Sequence, residues 1–357
     1  MIHSRGLVRG RSFETRLSGL FLAATLASSC GGGSSPGGPD PPPTTPPGTS
    51  VTAFVFYDEN ANGSADPLEG IRLPGVTVTI GARTGQTVAG GRAVVGNVPA
   101  GAQAATVRAE SLPPYFVPGA QVAVQVPQAA GTEIAVPATL PIGGNRANVY
   151  MAFGDSITFG EGSNDGSGYR SYLEADLRSY WGGTASVRNE GKSATRSNAG
   201  AGRIGGSLDR TRPAYTLILY GTNDWNDIEC RDERFPCYTI DSLRSMVQEA
   251  RSVQSNPILG TIIPVNPAFA DRDTVARNDW VKRMNDLIRA LARTERVAVA
   301  DIHASYLRQP SLEALYRDFL HPNEQGYALM AQEFLKGITQ PLAASSTRRA
   351  FFFSVGG

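Results

Sequence analysis

The segment Val149-Tyr-Met-Ala-Phe-Gly-Asp-Ser-Ile-Thr158 joins a run of apolar residues to a polar turn. Residues 149–153 have the length and composition of a buried strand, and Gly154-Asp-Ser156 follows that strand directly. Farther along the chain, apolar runs alternate with amphipathic stretches, which predicts a parallel sheet with helices on both faces. Reactive groups of such sheets collect at the carboxyl ends of the strands, so Ser156 is a candidate nucleophile.

Four more strands and four helices are predicted after this segment. The predicted strands are 186–189, 216–220, 258–263 and 297–302, and the predicted helices are 169–181, 239–254, 278–293 and 324–337. Residues 146–340 are therefore expected to form one α/β domain, and residues 341–357 a C-terminal tail without an assigned role.

Three further polar segments occupy strand ends or the start of a helix. Asn189-Glu-Gly191 follows the second strand, Gly221-Thr-Asn-Asp224 follows the third, and Asp318-Phe-Leu-His321 precedes the last helix. They offer the groups that acyl transfer needs, namely amide donors for an oxyanion and an imidazole base. His303, the other histidine of this region, is expected to be a rim residue at another strand end.

The four segments, in this order, resemble the SGNH/GDSL hydrolases, whose blocks are Gly-Asp-Ser, a glycine, Gly-x-Asn-Asp and Asp-x-x-His. The resemblance covers roughly residues 148–340. It implies a three-layer α/β/α, flavodoxin-like fold and an esterase or lipase that hydrolyses acyl esters without a redox cofactor or a catalytic metal.

The resemblance also implies a role for each matching residue. Ser156 is expected to be the nucleophile, His321 its general base and Asp318 the carboxylate that holds the imidazole. The oxyanion hole is expected to consist of the Ser156 and Gly191 N–H groups and the Asn223 side-chain amide.

The first fifty residues predict export. Residues 1–29 combine arginines with an apolar run, 17–27, that is too short to span a bilayer, as in a lipoprotein-type signal peptide. Leu26-Ala-Ser-Ser-Cys30 resembles a bacterial lipobox, which implies lipidation of Cys30 and a membrane-anchored protein; cleavage near Ala27 and secretion is the alternative. Residues 30–50 are expected to be a linker, because every residue of 31–50 except Asp40 is Gly, Pro, Ser or Thr.

Residues 51–142 predict an all-β sandwich, because β-branched runs alternate with Gly and Pro turns. One loop fits the template of a calcium loop, with Gly63 at its sixth position. Its candidate ligands are Asp58, Asn60, Asn62, Ser64, Asp66 and Glu69. The region resembles the B-type repeat domains of bacterial surface adhesins, which implies a structural calcium ion; a turn that binds nothing is the alternative. The domain itself is expected to be a spacer or a module that binds polysaccharide or another surface partner.

The segment after the third block carries two cysteines and two aromatic residues. Cys230 and Cys237 are expected to form a disulfide in an exported protein, with two free thiols as the alternative. Trp225 and Phe235 are candidates for lining a pocket. Gly200-Ala-Gly-Arg-Ile-Gly205 matches a dinucleotide-binding pattern outside its required context, and we expect a loop there.

Charge balance narrows the choice of function. Lys and Arg number 33 against 32 Asp and Glu, a formal net charge of +1, which argues against a nucleic-acid partner. The leading hypothesis is an exported serine esterase or lipase. The alternatives are a carbohydrate acetyl esterase that acts on polysaccharide, and a surface adhesion protein with an inert hydrolase fold.

Overall fold

The computed structural model describes residues 48–233 and 235–342. The predicted signal peptide, Cys30, most of the predicted linker and the tail from residue 343 lie outside the described residues. Within the described part of the chain, no helix is both long and apolar enough to cross a membrane.

Eight strands of the N-terminal region form two four-stranded sheets. They are β1 (Thr49–Tyr57), β2 (Thr77–Ile80), β3 (Arg83–Gln86), β4 (Arg92–Val98), β5 (Gly101–Val107), β6 (Val117–Pro118), β7 (Val122–Val126) and β8 (Glu133–Thr139). The sheet orders are β4-β1-β8-β6 and β3-β2-β5-β7. Alternate residues of β1, such as Val51, Ala53 and Val55, are buried, as a strand with one face on a core requires. This strand starts at Thr49, just inside the predicted linker.

Five parallel strands form the sheet of the C-terminal region, counted over its described residues up to 342. They are β9 (Arg146–Gly154), β10 (Ser186–Gly191), β11 (Pro213–Leu219), β12 (Asn256–Gly260) and β13 (Ala298–Ala300), in the order β10-β9-β11-β12-β13. In the register of the sheet, Gly154 pairs with Gly191 on one side and with Leu219 on the other. The ends of β9, β10 and β11 therefore lie side by side, which brings three of the four polar segments to one edge.

Among the residues that the structure describes, seven α-helices accompany this sheet. They are α1 (Ser156–Phe159), α2 (Tyr169–Trp181), α3 (Ser197–Thr211), α4 (Thr239–Ser252), α5 (Thr274–Glu295), α6 (Ile302–Leu307) and α7 (Glu324–Thr339). Tyr150 and Ala152 of β9 belong to the core that includes α2, α6 and α7, whereas Met151 and Phe153 belong to the core that includes α3, α4 and α5. The alternation of β9 thus faces two helical layers, and the predicted parallel sheet with helices on both faces is confirmed.

The loop expected at 200–205 is a helix, because this glycine-containing segment is part of α3. Ile204 and Leu208 are buried against the sheet, and Gly200 has a packing reason: a Cβ there would lie 2.7 Å from the Tyr220 ring. Tertiary packing therefore overrides the low helix propensity of glycine.

The two regions share one hydrophobic core. Phe116 of the β-rich region lies 5.2 Å from Tyr57 and 5.8 Å from Trp181 of α2, centroid to centroid. The Arg72 N–H donates to the Trp181 carbonyl at 2.8 Å. Tyr115 donates its hydroxyl to the Pro257 carbonyl at the start of β12, so this contact is made at the amino end of the parallel sheet, opposite the edge that carries Ser156.

Candidate active site

Ser156 is the first residue of α1 and follows β9 by a single intervening residue. That residue, Asp155, caps the short helix: its Oδ1 accepts the Ile157 N–H at 3.0 Å. Ser156 is 5% exposed, and its Oγ lies 3.0 Å from Nε2 of His321. This is the distance at which an imidazole can take the proton of a serine hydroxyl.

Asp318 holds both the loop and the ring of His321. Its Oδ1 accepts the N–H groups of Leu320 and His321, each at 2.7 Å, and its Oδ2 lies 2.9 Å from Nδ1 of His321. Burial alone would raise the pKa of Asp318, but these hydrogen bonds outweigh it and hold the pKa below its ordinary value. An ionised carboxylate on Nδ1 favours the tautomer that leaves Nε2 free to accept a proton.

The start of α7 fixes this loop from the other side. Asn323 caps the helix through Oδ1, which accepts the N–H groups of Gln325 and Gly326 at 3.0 and 3.2 Å. The Arg317 N–H donates to the His321 carbonyl at 2.9 Å. The backbone of the Asp-x-x-His segment is thus tied at both ends.

Gly191 ends β10 beside α1. A Cβ at this position would lie 2.2 Å from the Phe159 nitrogen, so the close approach of the two backbones requires glycine. Its N–H donates to Oδ1 of Asn189 at 3.0 Å. Asn223 follows β11, is 8% exposed and donates from Nδ2 to the Thr195 carbonyl at 3.1 Å.

Buried charge surrounds these donors. Asp224 accepts both the N–H and the hydroxyl of Ser197, at 2.9 and 2.6 Å, and the Thr239 hydroxyl at 2.7 Å. Burial nevertheless raises its pKa. Arg277 of α5, which is also buried, donates to the Thr222 carbonyl at 2.8 Å, and burial lowers its pKa to about 10. These contacts hold the Gly-Thr-Asn-Asp turn against α3, α4 and α5.

Glu161 is a site residue that the sequence motifs did not reveal. Its Oε2 lies 3.2 Å from Nε2 of His321, and its Oε1 accepts the Ser193 hydroxyl. Gly162 explains how the segment reaches the histidine, because a Cβ there would lie 2.9 Å from the His321 Cβ. The sequence offered one signal for Glu161, its short distance from Ser156. A glutamate at that position is not by itself typical of a site residue.

The predicted cysteine pair and its aromatic neighbours lie beside α5. The sulfurs of Cys230 and Cys237 are bonded to each other in the structure. Trp225 and Phe235 pack edge-on against Trp280, with centroids 6.0 and 6.3 Å apart, and the Trp280 Nε1 donates to the Cys230 carbonyl at 2.9 Å. Both aromatics therefore join the core beneath the loop, rather than projecting from it.

The predicted calcium loop is closed by its own side chains. Asp58 accepts the N–H groups of Asn62 and Gly63 at 3.1 and 2.8 Å, and Glu69 accepts that of Asp66 at 3.1 Å. The donor set is entirely oxygen, which suits a hard cation. In the described part of the chain, however, no three His, Cys, Asp or Glu side chains are grouped so as to hold a metal ion, and calcium stays a prediction.

Comparison with known proteins places this site in a family. The model of the GDSL-like lipase/acylhydrolase family matches residues 152–329, a span that contains Ser156, Gly191, Asn223, Asp318 and His321. No curated protein sequence matches the chain.

Solved structures that are similar to this chain include two bacterial enzymes. A lipase/acylhydrolase from Enterococcus faecalis is 20% identical with a TM-score of 0.46, over 55% of this chain and 100% of that one. An acetyl xylan esterase from Geobacillus stearothermophilus is 21% identical with a TM-score of 0.45, over 56% and 99% of the two chains. Through residues 152–329, the chain belongs to the GDSL-like lipase/acylhydrolase family and is an ester-hydrolysing hydrolase.

Proposed function

We propose that this protein is an exported serine esterase that cleaves carboxylic acyl esters through Ser156, His321 and Asp318. The observation that carries the proposal is the continuous contact from Asp318 Oδ2 to His321 Nδ1, at 2.9 Å, and from His321 Nε2 to Ser156 Oγ, at 3.0 Å. Serine is a weak nucleophile until a base accepts its proton, and this order of groups supplies the base and its support.

The reaction proceeds in two halves. Ser156 Oγ attacks the ester carbonyl carbon while Nε2 of His321 takes the hydroxyl proton, which gives a tetrahedral oxyanion. The oxyanion collapses to an acyl-enzyme as the alcohol leaves with the proton from Nε2. Water then attacks the acyl carbon, with His321 again as the base, and the carboxylic acid and free Ser156 are released.

The oxyanion is assigned to the N–H groups of Ser156 and Gly191 and to the Asn223 amide. Substrate must displace the Asn189 side chain from the Gly191 N–H, whereas the Asn223 Nδ2 carries a second hydrogen besides the one donated to Thr195. These donors act on charge that develops only during the reaction, so they lower the barrier rather than tighten substrate binding.

Hydrolysis of p-nitrophenyl esters, from acetate to palmitate, by the full chain and by Ser156→Ala tests the proposal. Turnover that disappears in the variant supports it, and the chain-length profile separates an acetyl esterase from a lipase. Absence of turnover together with absence of labelling by a fluorophosphonate contradicts it and favours a binding protein with an inert hydrolase fold.

A carbohydrate esterase is the second candidate. The Glu161 carboxylate lies at Nε2 of His321, the atom that protonates the leaving alcohol, and it accepts a hydrogen bond from the Ser193 hydroxyl. Hydrogen-bonding groups there suit an alcohol that carries further hydroxyls, such as a sugar. A kcat/KM for acetylated xylo-oligosaccharides well above that for p-nitrophenyl acetate supports this candidate, and the reverse order contradicts it.

Anchoring to a membrane through Cys30 is proposed from the lipobox-like sequence alone. Metabolic labelling with a radioactive fatty acid tests it, with Cys30→Ala as the control. Label in the wild-type chain only supports lipidation, whereas an unlabelled, soluble product cleaved near Ala27 supports secretion.

A further inference from the structure

We propose that Arg203, on α3, is a positioning residue that orients the donors of the oxyanion hole. The inference rests on the proposed function and deepens it. Arg203 lies within Gly200–Gly205, a segment to which the sequence motifs gave no role in the reaction.

The guanidinium of Arg203 contacts the ends of three strands. Its Nη2 lies 2.8 Å from the Gly154 carbonyl oxygen, 2.7 Å from the Glu190 carbonyl oxygen and 2.6 Å from the Tyr220 hydroxyl. Its Nε also donates to that hydroxyl, at 3.2 Å. Gly154 ends β9, Glu190 is the penultimate residue of β10 and Tyr220 directly follows β11. One side chain therefore joins the strands that lead to Ser156, Gly191 and Asn223.

The contact with Glu190 bears directly on Gly191. A trans peptide group is planar, so the Glu190 carbonyl and the Gly191 N–H point in opposite directions. When Arg203 holds the carbonyl on the α3 side, the N–H is directed to the opposite side. Gly191 itself packs against Phe159 of α1, the helix that begins with Ser156. Without Arg203, this peptide loses one of the hydrogen bonds that orient it and keeps the one from the Gly191 N–H to Asn189 Oδ1.

The contact with Tyr220 leads to the third donor. The Tyr220 hydroxyl lies 3.1 Å from the Thr195 Oγ1, and the Thr195 carbonyl accepts the Asn223 Nδ2 at 3.1 Å. A chain of polar contacts thus runs from Arg203 through Tyr220 and Thr195 to Asn223. Arg203 supports the backbone donor and the side-chain donor at once.

The positive charge of Arg203 is only weakly balanced by carboxylates. Its guanidinium carbon lies 4.1 Å from the centroid of the Phe153 ring. The nearest carboxylate contact is to Glu190, at 4.0 Å, and that carboxylate is held more closely by Arg210 and Ser207, at 2.7 and 2.8 Å. A cation behind the donors favours the negative charge that forms on the substrate oxygen.

Two roles of Arg203 predict different kinetics. A residue that orients oxyanion donors lowers kcat when it is lost, while KM changes little, because the oxyanion is absent from bound substrate. Loss of a residue that only stabilises the fold reduces the amount of active enzyme and its melting temperature, but the active sites that remain keep a normal kcat.

The test compares the full chain with Arg203→Lys, Arg203→Met and Tyr220→Phe. Arg210→Met is the matched control, because Arg210 lies on the same helix and contacts the side chain of Glu190 rather than its carbonyl. Active sites are counted with a fluorophosphonate, and kcat and KM are measured on p-nitrophenyl acetate. The inhibition constant of an alkylboronic acid is measured in parallel, because its serine adduct is a tetrahedral anion that occupies the oxyanion hole.

We expect kcat per active site to fall about 10- to 100-fold in both Arg203 variants, a range below the 10²–10³ measured for loss of an entire donor. Binding of the boronic acid should weaken by the same factor, and KM should stay within about threefold of the wild-type value. Tyr220→Phe should show a smaller loss in the same direction, and Arg210→Met should keep kcat within about twofold.

Several results would overturn the inference. They are an unchanged kcat per active site in Arg203→Lys, a lower kcat without weaker boronic acid binding, or an equal loss in Arg210→Met. If Arg203→Met does not fold, Arg203→Lys and Tyr220→Phe decide the matter. A wild-type chain that neither hydrolyses esters nor takes the label overturns the proposed function, and this inference with it.

Discussion

Glu161 and Ser156 face the same nitrogen of His321: Glu161 Oε2 lies 3.2 Å and Ser156 Oγ 3.0 Å from Nε2. The backbone of Glu161 is fixed, because its N–H donates to the Ser156 carbonyl at 3.1 Å and its carbonyl accepts the Tyr327 hydroxyl. Its carboxylate remains 40% exposed. A negative charge is therefore held at the atom that delivers a proton to the leaving alcohol.

This carboxylate should select the charge of the alcohol. Because the leaving oxygen must approach Nε2, a cationic group on the alcohol lies close enough to Glu161 to be attracted, and an anionic group is repelled. We expect kcat/KM for acetylcholine to exceed that for the neutral isostere 3,3-dimethylbutyl acetate. Glu161→Gln should reduce this ratio about fivefold, which corresponds to roughly 1 kcal/mol at an exposed site.

Glu324→Gln is the control for this measurement. Glu324 begins α7, and its carboxylate accepts the Asn164 N–H at 2.7 Å rather than contacting His321. Its loss should leave the ratio unchanged. Equal ratios in the wild-type chain and in Glu161→Gln would show that Glu161 does not sense the alcohol.

The strand ends were predictable because short apolar runs and polar turns are local signals. Val149-Tyr-Met-Ala-Phe153 predicted β9, and the four polar segments predicted the residues that the fold brings to one edge. Helix α3 was not predictable in this way, because its glycines lower helix propensity and the helix depends on burial of Ile204 and Leu208.

The contacts of Glu161 and Arg203 were also beyond local pattern. Glu161 reaches His321 across 160 positions of sequence, and Arg203 reaches Gly154 across 49. Likewise, the aromatic contact of Phe116 with Trp181 joins two regions that the sequence divides into separate domains. Such contacts depend on tertiary packing, which residue type and sequence spacing do not predict.

Asp155 should make stability fall as pH rises. Burial raises its pKa to about 7 from an ordinary value of 3.8; the Ile157 N–H lowers it, and the Asp224 charge raises it further. Between these two pH values the folded state holds a proton that the unfolded state has lost, so the free energy of unfolding decreases with pH and the full penalty applies above pH 7. The penalty is at most about 4 kcal/mol.

Asp155→Asn removes this titration while keeping an oxygen that accepts the Ile157 N–H. Relative to the wild-type chain, the variant should gain about 2–4 kcal/mol between pH 4.5 and pH 8, as measured by urea unfolding. Asp318→Asn should change the free energy of unfolding with the opposite sign. Because the pKa of Asp318 is lowered in the folded state, its carboxylate stabilises the fold at pH values above its ordinary pKa, and this contribution is lost as pH falls. Parallel pH profiles for wild type and Asp155→Asn would contradict the burial of an ionisable group there.

Gly191 and Gly202 should respond in opposite ways to alanine. At Gly191 the added Cβ would lie 2.2 Å from the nitrogen and 2.6 Å from the Cα of Phe159, so β10 and α1 must separate. We expect kcat for p-nitrophenyl acetate to fall at least 100-fold as one oxyanion donor moves. At Gly202, within α3, nothing lies within 4 Å of the new Cβ. Alanine should raise the free energy of unfolding by about 0.5–1 kcal/mol and leave kcat unchanged. A fully active Gly191→Ala would remove Gly191 from the oxyanion hole.

The predicted calcium loop touches the hydrolase region at both ends. Asn148, in β9, donates to the Glu59 carboxylate at 2.9 Å. The Arg72 side chain donates to the Glu69 carbonyl, and its N–H donates to the Trp181 carbonyl. Since these contacts join the loop to the hydrolase region, an ion that stabilises the loop should stabilise both regions together.

Millimolar calcium should therefore raise the melting temperature by several degrees, and a chelator should reverse the change. An ion at 100 times its dissociation constant contributes about 2.7 kcal/mol to stability. Glu69→Gln, which weakens the last candidate ligand, should abolish the calcium response.

Glu59→Gln is the matched control, because Glu59 lies in the same loop at a position that the calcium template does not use for a ligand. Its response should persist, since only the contact with Asn148 is altered. The catalytic sheet edge lies at the far end of the strands, so kcat should stay the same with and without calcium. An unchanged melting temperature in wild type across chelator and 10 mM calcium would identify the loop as a turn that binds nothing, held closed by the hydrogen bonds that Asp58 and Glu69 accept.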